Sequence, residues 1–573
     1  MPLSVSKLKS VALLGPALAL LFLVASAAWS TTRAEAQRGQ VPLVKVPFPR
    51  YDGSLTPFTF KLGYPLVTLV YDTLMWRDAR GVPRPWLARS VKRSADGRQL
   101  TVRLARGVRW HDGRPLTAAD VAFTFGFVRA RGHPRFGPQL RDLEGVDVVA
   151  PDTVVFRLRR PSIGFLDQPL ADVPILPQHL WQGLPADRPA PAGLAVGSGP
   201  YRLVANRRRR GYAFQANNAY FRGRPAVRRI EVPIIRDANR TFRALERGDA
   251  DMLPVSLPED ALRQLEGPGI EFARGRSYLG TVLMFNLRRP PFNRAEVRQA
   301  VARALDLPRI AGTFAGLGEE KSAVPAERGY LHPDSRWASR RDLHRFDEDD
   351  AREVLGRLGL PPFRILAPDN DPVRREAGRQ VVNALRRAGA QVTLEETPPK
   401  ALARAIGQDS KASGFEAAIG SSPPLASYDP DFLHAVFGSG TRLNYSGYSS
   451  GRFEQLAERV AASTDVSSRR AAVAEELRLL ARDLPVVPLF FYDGIFAYRR
   501  AVHDGWVYVK GSGILDKRSF LRRGPAAAAG RSVGLPAPED SGSFPLGVFG
   551  ALSLGLVAVA IVVVAGAAVR RRG

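Results

Sequence analysis

The sequence predicts an α/β protein built on a largely parallel sheet, exported and held to the membrane by its last helix. Three observations lead there. Between Phe363 and Ile419, short apolar runs alternate with helical patterns, and strand–helix–strand–helix–strand implies right-handed crossovers in a parallel sheet. Lys7 and Lys9 precede an apolar run from Val11 to Val24, with small residues at Ala25-Ser26-Ala27 and Ala34-Glu35-Ala36, as in a cleavable signal peptide. At the other end, Leu546 to Val569 carries no charge. As a helix it reaches roughly 36 Å, enough for a hydrocarbon core of about 30 Å.

The 573 residues can bury large cores and suggest two or three domains. There is no cysteine, which excludes disulfides, thiolate metal sites, cysteine nucleophiles and an N-terminal lipid anchor on cysteine. The net charge of +28 is mostly arginine, scattered along the whole length. It would suit nucleic acid or an anionic surface, and the export signals argue against nucleic acid. Residues 525–545, rich in Ala, Gly, Pro and Ser, read as a tether. Arg570-Arg571-Arg572 places the C-terminus in the cytoplasm. A wall-sorting signal is the alternative for this end, but Leu535-Pro536-Ala537-Pro538-Glu539 lacks the Thr-Gly that a sortase cuts.

Taken in order, the body opens with a short apolar strand from Val41, followed by an apolar segment from Leu66 to Leu74. Thr101 to Leu104 alternates as a half-buried strand does, and Trp110-His111-Asp112-Gly113 is a turn. Thr117 and Asp120 start a helix with Val121, Phe125 and Val128 on one face, although Phe123-Phe125-Phe127 also suits a strand. His111 reads as a turn residue, because no second ligand lies at metal spacing. Arg207 to Arg210 reads as the exposed tip of a hairpin, and Thr241 to Asp251 as a short helix. Gly197-Ser198-Gly199-Pro200 lacks the Lys-Ser/Thr of a P-loop. Met284-Phe285-Asn286 forms a strand before a helix that starts at Asn293 with Glu296 and carries Val297, Ala300, Val301, Ala304 and Leu305 on its apolar face.

The parallel unit follows: strand Phe363 to Ala367, helix Val373 to Ala388 stopped by Gly389, strand Gln391 to Glu395, helix Ala401 to Ile406, strand Phe415 to Ile419. Ligands of open α/β sheets bind beyond the carboxyl ends of the strands. That singles out the loop Gly420 to Asp431, GSSPPLASYDPD, with Ser427, Tyr428 and Asp429. Two amphipathic helices come next, the second carrying Val473, Leu477 and Leu480. The apolar strand from Leu484 to Leu489 then leads into Phe490, Phe491 and Tyr492.

Several of these stretches resemble the family 5 solute-binding proteins of ABC transporters, the peptide- and nickel-binding receptors. The words are VRWHDGRPLTAADVAFTF at 108–125, YDTL at 71–74, GSGPY at 197–201, NNAYFRGRP at 217–225 and FNLRRPPFNRAEVRQAVARALD at 285–306. They stand in family order from about Val70 to Trp506. The resemblance implies a two-lobed periplasmic-binding-protein-like fold of type II, in its enlarged peptide-binding class, that closes on a ligand by hinge motion. It implies lobe I over 38–283 and 488–523 and lobe II over 284–487, after a signal peptide at 1–37. A tether at 524–545, a membrane helix at 546–569 and a basic tail at 570–573 complete the expected layout.

The implied ligand is an oligopeptide or a similar small polar solute, delivered to ABC permease subunits by a monomer without cofactor or metal. The implied contacts are Ser427, Tyr428, Asp429, Phe285, Asn286, Phe491 and Tyr492. In peptide-binding members the corresponding loop resembles A-D-Y-x-D-P, its first Asp pairing with the peptide's ammonium. Here Ser427 stands in that place, or a residue is deleted and Asp429 takes the role, which weakens peptide specificity and leaves the receptor reading intact. No G-x-S-x-G, H-E-x-x-H or cysteine points to an enzyme. A paired-carboxylate glycosidase and a membrane-tethered sensor that transports nothing stand as the alternatives.

Overall fold

The computed structural model describes residues 40–521 except 61–62, 134, 185–194, 209, 255–264, 266–268, 315–322, 370, 408–413 and 423–424. The signal peptide, tether, membrane helix and basic tail read from the sequence lie outside the described residues. No helix among the described residues is long and apolar enough to cross a membrane.

The N-terminal part contains two four-stranded sheets. In one, Ala88–Arg93, Gln99–Leu104, Thr153–Leu158 and Leu143–Ala150 run antiparallel in that spatial order. Leu100, Val102 and Leu104 alternate inward, as a sheet with one solvated face requires, and pack on the helix Ala118–Ala130. That helix begins with a capping box: the Asp120 carboxylate accepts from the Thr117 backbone N–H at 2.8 Å. The Phe123-Phe125-Phe127 ambiguity resolves as helix. Phe125 is fully buried against Phe156 at 4.8 Å, while Phe123 and Phe127 turn toward the neighbouring core.

The second N-terminal sheet orders Val44–Lys45, Arg229–Val232, Gly211–Ala216 and Tyr201–Arg207. The last two strands form the expected hairpin with its basic tip. The apolar segment from Leu66 is the helix Tyr64–Val70, packed on this sheet with Trp506, Ile514 and Phe520 from the end of the chain.

A six-stranded sheet forms the other half, in the order Ala323–Pro325, Val486–Tyr492, Gly280–Phe285, Ala417–Ser422, Phe363–Pro368, Val392–Thr397. The strand–helix–strand unit appears where the sequence places it: Phe363–Pro368 pairs in parallel with both Val392–Thr397 and Ala417–Ser422. The sheet as a whole is mixed, which corrects the largely parallel expectation. Gly280–Phe285 inserts between Ala417–Ser422 and Val486–Tyr492 and runs antiparallel to both. Both faces are covered: Leu283, Phe285, Ile365 and Ile419 point into one core, Val282, Met284, Leu366 and Ala418 into the other. Burial on two sides explains why GTVLMF reads as a continuous apolar run.

The helix expected to start at Asn293 is Ala295–Arg303, with Arg294 at its N-cap and no side-chain cap bond. The loop Gly420 to Asp431 is shorter than it reads, since the strand continues to Ser422 and Leu425–Tyr428 is helical.

The chain passes between the halves twice. Ile270–Gly275 pairs with Gly494–Arg499 on the N-terminal side, while Gly280–Phe285 and Val486–Tyr492 pair in the six-stranded sheet. Residues 276–279 and 493 therefore carry the two crossings, joined by an Arg276–Asp493 ion pair at 3.0 Å. Met284 and Pro488, the lobe boundaries read from the sequence, lie inside adjacent paired strands of one sheet.

Candidate functional site

The two halves meet along a seam built from the loop after Ala417–Ser422, residues 330–337, and the N-terminus of the helix Val466–Asp483. These face Gly81, the short helix Gly164–Asp167 and residues 510–512.

Tyr428 is its aromatic centre. The Tyr428 hydroxyl donates to the Lys510 carbonyl and lies 3.1 Å from Ser512 Oγ. Its ring packs 5.1 Å from Tyr278 and 4.7 Å from the Arg77 guanidinium. On the opposite wall two glycines also pack directly on this side chain. A Cβ on Gly81 would lie 2.8 Å from the Tyr428 ring, and one on Gly511 would lie 2.4 Å from its hydroxyl.

Beside it lies a buried charge cluster. The Arg469 side chain is 1% exposed; it donates to Asp429, lies 2.9 Å from Asp431, and approaches Asp167 of the other half at 3.7 Å. Arg336 pairs with the same Asp167, and both guanidiniums stack near Trp337, at 4.5 and 4.9 Å. Burial pushes the Asp429 carboxyl up, against the pull of Arg469 and with Asp431 and Asp167 adding to the rise. Burial likewise raises Asp167. Glu476, seven residues after Arg469 and on the same buried face, is pushed well above the carboxylate range by desolvation and by Asp431.

Of the seven residues read from the sequence, Tyr428 and Asp429 lie in this seam. Ser427 lies behind it: its Oγ accepts from the His332 N–H at 3.0 Å, and its carbonyl accepts from Ser335 Oγ at 2.7 Å. Phe491 is buried, edge-on to His332 at 5.0 Å, and Tyr492 ends the same strand half-buried. Phe285 and Asn286 are elsewhere. Phe285 stacks on Phe292 at 4.6 Å within the core, and the Asn286 amide donates to the Phe415 carbonyl at 3.0 Å while its oxygen caps Arg288. Both carry out internal packing in this structure.

Arg469, Asp167, Arg336 and Trp337 were missed by sequence reasoning. One signal was available: Arg469 and Glu476 share the helical face of Val473, Leu477 and Leu480, and a charge on an apolar stripe is seldom without a partner. Nothing local flags Asp167. Among the described residues, no group of three or more His, Asp or Glu is placed to hold a metal ion. A cavity of about 440 Å³, lined by Ala302, Tyr330, Phe437, Leu480 and Val486, lies within the second half.

The arrangement brings aromatic faces, backbone groups and fixed charges of two walls together, and no nucleophile–base pair stands among its described residues. An ABC-transporter peptide-binding protein of Brucella ovis is 26% identical over 360 residues, spanning 61% of this chain and 66%, just under two thirds, of that protein. The substrate-binding protein CtaP of Listeria monocytogenes has a similar structure, with a TM-score of 0.74 at 22% identity over 84% of this chain and 99% of that one. The oligopeptide-binding protein AppA of Bacillus subtilis, solved with a nonapeptide, gives a TM-score of 0.71 at 22% identity, over 84% and 99% of the two chains. At that identity the solved structures speak for the fold. The family model for the bacterial extracellular solute-binding proteins, family 5 Middle, matches residues 82–444. With more than half of its length inside that match, and with the fold and seam to go with it, the chain belongs to the family 5 bacterial extracellular solute-binding proteins.

Proposed function

We propose that this chain is the extracellular receptor of an ABC importer, binding an oligopeptide or similar small polar solute between two lobes and presenting it to the permease. It acts by binding alone. The observation that carries the reading is the family match over residues 82–444, joined to a seam whose two walls come from opposite halves of the chain. The lobes in this reading are residues 40–275 with 494–521, and 280–492. The hinge is the pair of crossings at 276–279 and 493, adjacent strands that absorb the rotation with little loss of packing. The contacts we assign are Tyr428, Asp429 and Trp337 on one lobe and Arg77 and Asp167 on the other, with Phe491 and Tyr492 flanking.

Solution scattering and thermal unfolding of the full chain test this. Peptides are expected to raise the melting temperature and reduce the radius of gyration, because a ligand bound only by the native state stabilises it by mass action. A response to sugars alone would refute the peptide reading. Gly164→Ala sharpens the test. A Cβ there would sit 2.7 Å from Arg469 Nη2, so this variant is expected to lose the compaction while each core remains folded. Full compaction of Gly164→Ala would show that the lobes close differently.

The same reading places the body outside the cytoplasmic membrane after removal of a signal peptide, tethered by 546–569 with the C-terminus inside. Ending the chain after Gly524 is then expected to release it into the medium. A truncated protein that stays with the membrane would refute the tether.

A further inference from the structure

The charge of the body is divided unequally between its halves. Residues 40–275 with 494–521 hold 42 Lys and Arg against 24 Asp and Glu, a net +18, while residues 280–492 hold 30 against 27, a net +3. Arginine is abundant in both, so an arginine-rich composition alone does not separate them. In the second half carboxylates offset it: Arg352 meets Glu348 and Asp349, Arg379 meets Glu376 and Glu396, and Arg452 and Arg459 share Glu475. The first half lacks that compensation, and part of its excess gathers on the sheet that carries the arginine hairpin. Tyr201–Arg207 is the edge strand of that sheet. Arg202 and Arg229 flank Gln215 in register across three strands, on the face opposite Phe214 and Ile230 of the core. Arg207, Arg208 and Arg210 lie at the hairpin tip, and Arg228 precedes Arg229. Arg202, Arg207, Arg208, Arg210 and Arg228 are exposed, and none of these five has an acidic partner among the described residues. Val204, at a bulge in the edge strand, is 52% exposed. Charge on an edge strand also deters pairing with another sheet, but that role gives no reason for Arg210 and Arg228, which lie off the edge strand.

We propose that this face of lobe I docks on anionic lipid headgroups, holding lobe I on the membrane while lobe II opens and closes above it. The chain leaves the described body at the same place. The Ala226 N–H donates to the Phe520 carbonyl at 2.7 Å, so the end of the described chain lies against the segment that leads into Arg228 and Arg229. The sequence continues with Arg522-Arg523. The choice of lipid as the partner rests on the tether reading above. A flexible segment such as 524–545, 22 residues long, has an end-to-end distance of about 25 Å, which keeps the face close to the bilayer at high effective concentration. Each arginine brought within a Debye length of an anionic surface, about 8 Å at physiological salt, contributes roughly fivefold in affinity. Five unpaired arginines on one side of lobe I therefore favour anionic lipid strongly, and the offset charges of lobe II give no such preference.

Hydrogen exchange of the full chain reconstituted with vesicles tests the face. On phosphatidylcholine containing about one third phosphatidylglycerol, at about 0.1 M salt, amides of residues 201–211 are expected to exchange about fivefold or more slowly than on phosphatidylcholine alone. The difference should vanish at about 1 M salt. Equal exchange on the two lipids, or slowing confined to residues 280–492, would overturn the proposal. Slowing by soluble poly(glycerol phosphate) but not by the anionic vesicles would overturn it in favour of a wall polymer. The joint substitution Arg202→Gln, Arg207→Gln, Arg208→Gln and Arg210→Gln should abolish the slowing. The same change at Arg309, Arg340, Arg341 and Arg404, exposed on lobe II, should leave it in place. Equal loss in both variants would reduce the effect to net charge and overturn the assignment of a face. Flotation with phosphatidylcholine vesicles reads the tether separately: a chain that does not float with them refutes the tether, and lipid-dependent slowing would still uphold the face.

Discussion

Replacing Lys517 with methionine is expected to lower the unfolding free energy by about 3–5 kcal/mol, because it leaves a carboxylate buried without a counter-charge. The Lys517 and Asp72 side chains are both fully buried, with Nζ 2.6 Å from Oδ1. The ammonium also lies over two indole rings, 4.0 Å from Trp76 and 4.7 Å from Trp86. Asp72 is held on every side: Trp86 Nε1 and the Tyr220 hydroxyl donate to Oδ1 at 2.9 and 3.1 Å, and Ser198 Oγ donates to Oδ2 at 3.3 Å. Burial pushes the Lys517 ammonium down, and Asp72 opposes that shift.

The pair matters because it joins residue 517 of the returning chain to the YDTL segment of the N-terminal half. Removing both charges is a different experiment. Asp72→Asn with Lys517→Met should recover much of the loss, since a buried pair replaced as a unit is often close to neutral. Denaturant unfolding of the three variants measures this. A single-variant loss below about 1 kcal/mol, the range of exposed pairs, would mean that the site hydrates when perturbed.

Acid should destabilise the protein through its buried histidines, with His111 alone accounting for about 3 kcal/mol between pH 7 and pH 4. His111 donates from Nε2 to the Gly199 carbonyl at 3.0 Å and accepts the Gly197 N–H at Nδ1, 3.3 Å away. Only a neutral imidazole does both. Burial pushes its pKa down to about 4 from the ordinary 6.5. The folded-state pKa is depressed, so the unfolded chain binds more protons between those values. The stability is complete above pH 6.5 and is lost as pH falls toward 4. His133 repeats the pattern, donating to Pro57 and accepting from Arg135 and Phe136, with its pKa also lowered to about 4.

Asp429 and Glu476 act in the opposite sense, because their raised pKa values favour the folded state as pH falls. The contribution of His111 is therefore read from the difference between the parent and His111→Asn across the pH range. The gap should narrow by about 3 kcal/mol from pH 7 to pH 4. A constant gap would show that His111 does not titrate in this interval.

The elements whose signals are local were legible in the chain. The helix after Thr117, the hairpin with the arginine tip and the parallel unit from Phe363 rest on capping residues, turn residues and apolar periodicity within a dozen or so positions. The family resemblance extended that reach, because its words are spaced along the body in order. The position of the loop holding Tyr428 and Asp429, beyond the carboxyl end of a strand in the parallel unit, was also legible, because it follows from strand direction.

The tertiary structure decided the rest. Phe285 and Asn286 look like site residues in sequence and turn inward, because their strand is central in a sheet covered on both faces. The sheet is mixed because Gly280–Phe285 pairs with strands more than a hundred residues away, and a pairing at that distance leaves no periodicity to read. The charge cluster was hidden for the same reason: Asp431 and Arg469 come together across intervening helices of one half, and Asp167 reaches them only from the other half. Local propensity is written residue by residue. Which charge finds which partner is set by the low-dielectric interior that folding creates, and only the folded chain shows it.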